Sequence, residues 1–403
     1  MITFTMKLNH DRQMKKSTAI IIISILLQSG CNKQQSASDK LLNEVEKAIA
    51  INPDSASILL KSISSPEKLD DKTFARWCIL SGKITDEIFN TILPTYQLER
   101  AYDWYSSHGS TDEQVQILIY LGRSFFADGD YDKAMSIYTN ALDIAEKNKL
   151  NNLTGYTYSY IGDLYGEKFM RTEAIKRYEA AAECFKKENN TDSYACALRD
   201  VGREYACIDS LSRALKILTI ADSVARNTKN IEVTASIDNA LGNIYAMQNK
   251  YDKAEEYFLK ALVGRETMPD YMALIDLYIA SEAINKAKEL LSKIPQDNPK
   301  YTYSIKYLYY QIYNEEKNYK EALTNLKEYV EITDSIIYAD NQSKILNIES
   351  KYNHLKISKE IDRLKIKQQS YIIVLVICIG ILLLIIIGSR LFHLRNIVHR
   401  LLL

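Results

Sequence analysis

Residues 241–262, LGNIYAMQNKYDKAEEYFLKAL, contain the pattern that decides the fold. Gly242 and Ala254 are small, whereas Tyr245 and Phe258 are large aromatic residues at helical spacings from them. Small residues allow the backbones of two antiparallel helices to approach closely, and the aromatic rings fill the wider gaps beside them. The polar stretch QNKYD between the two halves provides a turn. The stretch therefore predicts a helical hairpin.

The same pattern occurs four times with a period of forty residues. Self-similarity at a fixed period of this size is typical of repeat proteins that stack one helical hairpin on the next. The period leaves two alternatives open, longer helices or longer loops between the hairpins. In each copy a glycine precedes an alanine by twelve residues, and we predict that these residues form the contact between the paired helices: Gly122 and Ala134, Gly162 and Ala174, Gly202 and Ala214, Gly242 and Ala254.

This spacing of small, aromatic and alanine residues resembles that of the tetratricopeptide repeat. The resemblance implies an all-α fold, a right-handed superhelical α-solenoid of helix pairs over residues 111–330, with degenerate repeats or a cap over residues 42–110. Composition agrees, because the chain has only 13 glycines and 6 prolines, with no proline between Pro94 and Pro269. Two further units follow at shorter spacing, and Ile275 and Tyr310 replace the glycine there. We expect looser or shifted packing in these two units.

The resemblance also implies a concave groove, lined by the first helix of each pair, that binds a protein or peptide. Arg199 and Arg203 are one helical turn apart and could hold a carboxylate, while Asn239 and Asn243 could pair with the backbone of an extended peptide. The alternative is a polar face that is only solvated. The groove positions of the family fall on these residues: Arg123, Phe126, Asp163, Arg199, Arg203, Asn239 and Asn243.

Composition and motifs argue against catalysis, metal binding and nucleic-acid binding by this chain. The 51 basic and 51 acidic residues give a net charge of zero, so we expect no direct binding of nucleic acid. The chain has only five histidines, and its cysteines lack the spacing of metal ligands. We therefore predict no catalytic residue, no metal and no cofactor, and a non-enzymatic protein-interaction scaffold.

Both ends of the chain contain apolar segments. Residues 1–30 resemble a lipoprotein signal peptide, with translation starting at Met14, Cys31 as the site of lipid attachment, and a polar tether over residues 31–41. Gln28 departs from the usual pattern, and the alternatives are ordinary cleavage or an uncleaved anchor, both with Cys31 unmodified. Residues 371–388 carry no charge and predict a transmembrane helix, followed by a short cytoplasmic tail over residues 389–403.

Residues 331–370 predict a long helix before this span. It either pairs with a second copy of the chain, as a coiled coil in a homodimer, or packs on the last repeat. The whole layout resembles a bacterial family of membrane-anchored tetratricopeptide proteins, which implies a location in the inner membrane with the repeats on its outer side. Two functions follow from the resemblance. One is a membrane-anchored scaffold, and the other is a one-pass signal transducer without the DNA-binding or kinase output domain of its relatives.

Overall fold

A computed structural model describes residues 38–88, 92–264, 266–296, 301–338 and 363–374, the last range without 365 and 372. These residues contain helices and turns but no strand, so the predicted all-α fold is confirmed for the described part of the chain. The chain forms two compact units, residues 1–334 and residues 335–403. The helix pairs described below belong to the first unit.

Up to residue 338, the described residues form sixteen α-helices and one short 3-10 turn, Pro66–Lys68. In chain order the helices are α1 (38–49), α2 (Pro53–Lys61), α3 (Asp71–Ile88), α4 (Thr95–His108), α5 (Thr111–Ala127), α6 (Tyr131–Lys147), α7 (Asn151–Glu167), α8 (Arg171–Lys187), α9 (Thr191–Cys207), α10 (Leu211–Ala225), α11 (Ile231–Met247), α12 (Tyr251–Gly264), α13 (Met268–Ala280), α14 (Ile284–Lys293), α15 (Thr302–Glu315) and α16 (319–338). Odd-numbered helices are the first helices of the pairs, and even-numbered helices are the second.

The length of the helices explains the forty-residue period. Helices α5 to α9 each have 17 residues, and three residues separate each from the next. Two such helices with their two turns make one period. Longer helices, and not longer loops, are therefore the correct alternative.

The three-residue turns share one backbone geometry. In the turn after α5, the N–H of Asp130 donates to the carbonyl of Phe125 at 2.9 Å, which satisfies a carbonyl that the helix end leaves without a partner. This hydrogen bond requires a left-handed residue in the middle of the turn. Eight turns have one, with φ between 55° and 77°: Gly129, Lys149, Phe169, Asn189, Asp209, Asn249, Glu282 and Lys317.

The glycines of the repeat lie where the two helices of a pair approach most closely. A Cβ atom on any of them would come within 2.6 Å of a large side chain on the second helix, and four pairs of residues meet in this way: Gly122 and Tyr138, Gly162 and Tyr178, Gly202 and Leu218, Gly242 and Phe258. The alanines beside these contacts are completely buried: Ala134, Ala174, Ala214 and Ala254. In the next pair a buried Ile275 occupies the glycine position.

The N-terminal region contains helices with less regular spacing. Helix α1 begins at residue 38, inside the predicted tether, and Asp39 there accepts a hydrogen bond from the Thr73 hydroxyl of α3 at 3.3 Å. Asn52 caps α2 by accepting from the N–H of Ser55 at 2.9 Å. Pro94 is the residue before α4, where its ring does not interrupt a helix.

The predicted location in the inner membrane was wrong. Among the described residues, no helix has the length and apolar character needed to cross a bilayer. Most of the predicted span, residues 375–388, lies outside the described residues, as do residues 389–403. The signal peptide over residues 1–30, Cys31, and residues 339–362 of the predicted long helix also lie outside them.

Candidate functional site

The first helices of successive pairs line a cavity of about 660 Å³. We call this cavity the groove. Residues of α3, α5, α7 and α9 form most of its wall, and Ile49 of α1 contributes at one end. The first helices of the pairs therefore line it, as the family resemblance implied. The side chains used below are Lys83, Gln116, Tyr120, Arg123, Tyr156, Tyr160, Asp163, Arg199, Asp200 and Arg203.

Aromatic and basic side chains occupy the part of the groove formed by α5 and α7. The guanidinium of Arg123 lies 5.9 Å from the centre of the Tyr120 ring and 5.2 Å from that of Tyr160. Tyr160 stacks in turn on the buried Tyr138, with ring centres 5.9 Å apart. Stacking of this kind holds a guanidinium in place without neutralising its charge.

Asp163 of α7 lines the groove and is exposed there. The hydroxyl of Tyr178 donates a hydrogen bond to its carboxylate at 2.6 Å. The groove wall around the carboxylate partly displaces water from it and raises its pKa to about 6, although the Tyr178 hydrogen bond acts in the opposite direction. Near neutral pH the charge of Asp163 is therefore unusually sensitive to what binds beside it.

The guanidinium of Arg199 makes its hydrogen bonds to other side chains of the protein. Its Nε and Nη2 donate to the two carboxylate oxygens of Asp200 at 2.9 and 3.0 Å, and its Nη1 donates to the hydroxyl of Ser236 at 3.0 Å. Arg203 lies 3.6 Å from the same Asp200, but 65% of its side chain is exposed. The clamp of two arginines stays a prediction, and Arg199 would have to leave Asp200 to take part in it.

The two asparagines lie on α11, away from the residues that line the groove. The amide of Asn239 donates to the buried Asp270 at 2.8 Å. The amide of Asn243 donates to the backbone carbonyl and the side-chain oxygen of Asn239 at 3.0 and 2.9 Å. The structure thus brings Arg123, Asp163, Arg199 and Arg203 together but not the asparagines.

A second cavity of about 450 Å³ continues from the groove toward the C-terminal ends of α5, α7 and α9. We call it the side cavity. Asp163, Asp200 and Arg203 line both cavities. The predicted groove residue Phe126 lines the side cavity, together with Phe169. Also in its wall, Arg171 pairs with Glu204 at 3.1 Å, and Glu167 adds a further carboxylate.

Sequence reasoning missed the groove residues that lie two and six positions before each glycine. The residues two positions before the glycine lie between predicted positions, and those six positions before it continue the same face by one helical turn. Because the helices have 17 residues, this extra turn is helical and faces the groove. The missed residues are Gln116, Tyr120, Tyr156, Tyr160 and Asp200. Extending the offset by one turn would have found the residues six positions before the glycine.

The described residues contain no group of three or more histidine, cysteine or acidic side chains that could hold a metal ion. The cysteines among them are free thiols: Cys78, Cys184, Cys196 and Cys207.

Two family models match the chain, both described as tetratricopeptide repeat, over residues 118–151 and 234–268. No curated protein sequence matches it. A solved structure of a Rap protein complexed with competence and sporulation factor matches with a TM-score of 0.53 at 16% identity, covering 75% of this chain and 99% of that one. NprR with its cognate peptide NprX matches with a TM-score of 0.46 at 15% identity, over 78% and 98%. PilF of Pseudomonas aeruginosa matches with a TM-score of 0.42 at 17% identity, over 58% and 99%.

The helix pairs, the two family models and the fold shared with the Rap protein together show which kind of repeat the chain contains. The chain contains tetratricopeptide repeats and folds as an α-solenoid of the tetratricopeptide type. Solenoids of this class present an extended inner surface, and they use it to bind other proteins.

Proposed function

We propose that this protein is a non-enzymatic scaffold whose groove binds an extended, negatively charged segment of a partner protein. The observation that supports this most is the charge of the groove. Four basic side chains line it, Lys83, Arg123, Arg199 and Arg203, against two acidic ones, Asp163 and Asp200. Arg199 and Asp200 pair with each other, which leaves Lys83, Arg123 and Arg203 against Asp163. The remaining charge favours an anionic ligand.

The rigidity of the wall favours binding at low entropic cost. Arg123 stacks on Tyr120 and Tyr160, and all three residues lie on 17-residue helices that neighbouring pairs hold in place. A side chain that is already ordered loses little rotamer entropy when a ligand arrives. Tyrosine rings add apolar contact area together with a hydroxyl that can bond to a peptide backbone.

The solved Rap protein, which shares the fold, is complexed with competence and sporulation factor. A solenoid of this kind can therefore hold another molecule. At 16% identity the likeness concerns the fold, and the ligand proposed here comes from the charge and shape of this chain's own groove.

Peptides selected from a displayed library of random dodecapeptides on the full chain would test the proposal. We expect the selected peptides to be acidic, and the variant with Arg123→Glu and Arg203→Glu to bind them about tenfold more weakly or worse, because two attractive contacts become repulsive. The variant with Lys176→Glu and Lys216→Glu is the matched control, since both lysines are exposed on second helices, α8 and α10. Equal loss of affinity in the control, or selected peptides without acidic residues, would contradict the proposal. The readout is fluorescence anisotropy of a labelled peptide.

A further inference from the structure

The backbone conformation and the exposure of Phe169 are both unfavourable for a residue with only a structural role. It is the middle residue of the turn between α7 and α8, with φ at 58°, and 80% of it is exposed. A left-handed backbone costs a residue with a Cβ atom roughly 1–2 kcal/mol relative to glycine. Because the ring is exposed, hydrophobic burial contributes little free energy to offset this cost.

The other turns of the same geometry show what the turn itself requires. Their left-handed residues are glycine, asparagine, aspartate, lysine or glutamate, at Gly129, Lys149, Asn189, Asp209, Asn249, Glu282 and Lys317. All of these residues are small or polar, and asparagine and aspartate accept the left-handed region more easily than other residues with side chains. A large apolar side chain is therefore not needed to form this turn. Its presence at residue 169 calls for a reason outside the turn.

The surroundings of Phe169 supply that reason. Phe169 and Phe126 both line the side cavity, and this cavity shares Asp163, Asp200 and Arg203 with the groove. Phe126 is held by an edge-on contact with Tyr131, with ring centres 5.5 Å apart. The guanidinium of Arg171 lies 5.1 Å from the Phe169 ring. Two phenylalanines thus line one cavity that opens directly from the groove.

We propose that Phe126 and Phe169 form a subsite for a large apolar side chain, aromatic or leucine-like, of the segment bound in the groove. This inference rests on the proposed function. A bound apolar side chain would cover the Phe169 ring, and burial would then compensate for the strained turn. The segment carries its acidic residues against Lys83 and Arg123 and its apolar residue at the side cavity.

The charges around the side cavity are compatible with an apolar guest. Glu204 is paired with Arg171, Asp200 with Arg199, and Asp163 accepts a hydrogen bond from Tyr178. An apolar side chain can enter beside these partnered groups without desolvating them further, and Glu167, the remaining carboxylate of the wall, is exposed to solvent. The two phenylalanine rings supply the apolar contact area that a polar groove alone lacks.

The test compares stability with binding. Phe169→Asn relaxes the turn and should raise the urea midpoint of unfolding of the full chain, and Lys149→Asn should do the same in a sibling turn. Dodecapeptides selected on the wild-type chain should share a large apolar residue, and Phe169→Asn should weaken their binding about fivefold or more. Lys149→Asn should leave peptide binding unchanged. A variant that is stabilised and yet binds less well cannot be explained by damage to the fold.

Two outcomes separate this inference from the function on which it rests. If acidic peptides bind the wild type but Phe169→Asn binds them equally well, the subsite is wrong and the groove stands. If the wild type enriches no peptide over the variant with Arg123→Glu and Arg203→Glu, both proposals fail.

Discussion

The four glycine-containing helix pairs and the pair that follows them, α13 and α14, fill the same contact in different ways. In α11 and α12 the first helix has Gly242 and the second supplies the ring of Phe258. In α13 and α14 the same two positions are Ile275 and Leu291, both completely buried in one apolar cluster. The helices there are shorter, 13 and 10 residues, but the left-handed turn residue Glu282 is retained. The side chains that fill the space between the paired helices can therefore come from one helix or from both, whereas the geometry of the turn stays the same.

The ring opposite the glycine should matter most for stability. Phe258→Ala removes a buried ring that a glycine backbone cannot replace, and we expect a loss of about 3–5 kcal/mol in the free energy of unfolding. The neighbouring Leu259→Ala is the control, because 46% of Leu259 is exposed. Urea unfolding measures both. Similar losses in the two variants would show that the contact between the helices does not depend on the ring.

Substitution of the glycine at the close approach of the two helices should have the next largest effect on stability. A Cβ atom at Gly242 would lie 2.6 Å from the Phe258 ring, so Gly242→Ala should cost about 1–3 kcal/mol by overpacking, reduced by the better helix propensity of alanine. In the background of Phe258→Ala the added methyl group enters the space that the ring has left. The same substitution should then be neutral or stabilising. A double-mutant cycle without coupling would contradict the direct contact.

Exchanging glycine and lysine in two of the turns should change the stability of the protein in opposite directions. Lys149→Gly removes the cost of a left-handed lysine and should stabilise the protein by about 1 kcal/mol. Gly129→Lys introduces this cost and should destabilise it by a similar amount. Thermal unfolding of the two variants and the wild type measures the exchange. Equal signs for the two substitutions would mean that the turns differ in geometry.

The smallest effect concerns the pH dependence of stability. The pKa of Asp163 is about 6, above its ordinary value, so the folded state holds this proton more tightly than the unfolded state. The stability that the protonated carboxyl provides is present at pH 4 and is lost as the pH rises through 6. Asp163→Asn should therefore gain in unfolding midpoint over the wild type as the pH rises from 4 to 7. Parallel pH profiles of the two proteins would contradict the raised pKa.

The spacing of small residues was enough to predict the helix pairs and several groove positions. Gly242 and Ala254 mark where two helix backbones can approach closely, and the structure has this close contact at Gly242. The groove residues six positions before the glycine, such as Tyr156, were not assigned, because the period alone does not determine how far each helix extends. Following the helix face back by one turn would have found them. The pairing of Arg199 with Asp200 escaped prediction for another reason. Adjacent residues in a helix do not share a face, and only the long guanidinium makes the contact reachable.

The turn at Phe169 could not be predicted from local signals either. Left-handed residues after a helix are usually marked by glycine or asparagine, and phenylalanine gives no such signal. Only alignment with the sibling turns at Lys149 and Asn189 identifies its conformation. Repeats thus allow an unusual residue to be recognised by comparison within one chain.

The central claim is that a partner segment lies in the groove formed by the first helices. Its most direct test is photocrosslinking of a selected acidic dodecapeptide to the full chain, with p-benzoylphenylalanine replacing Gln116 or Tyr156 in the groove, or Thr219 on the exposed face of α10. We predict crosslinks from the two groove positions and none from position 219. Crosslinks from position 219 with none from the groove would contradict the claim.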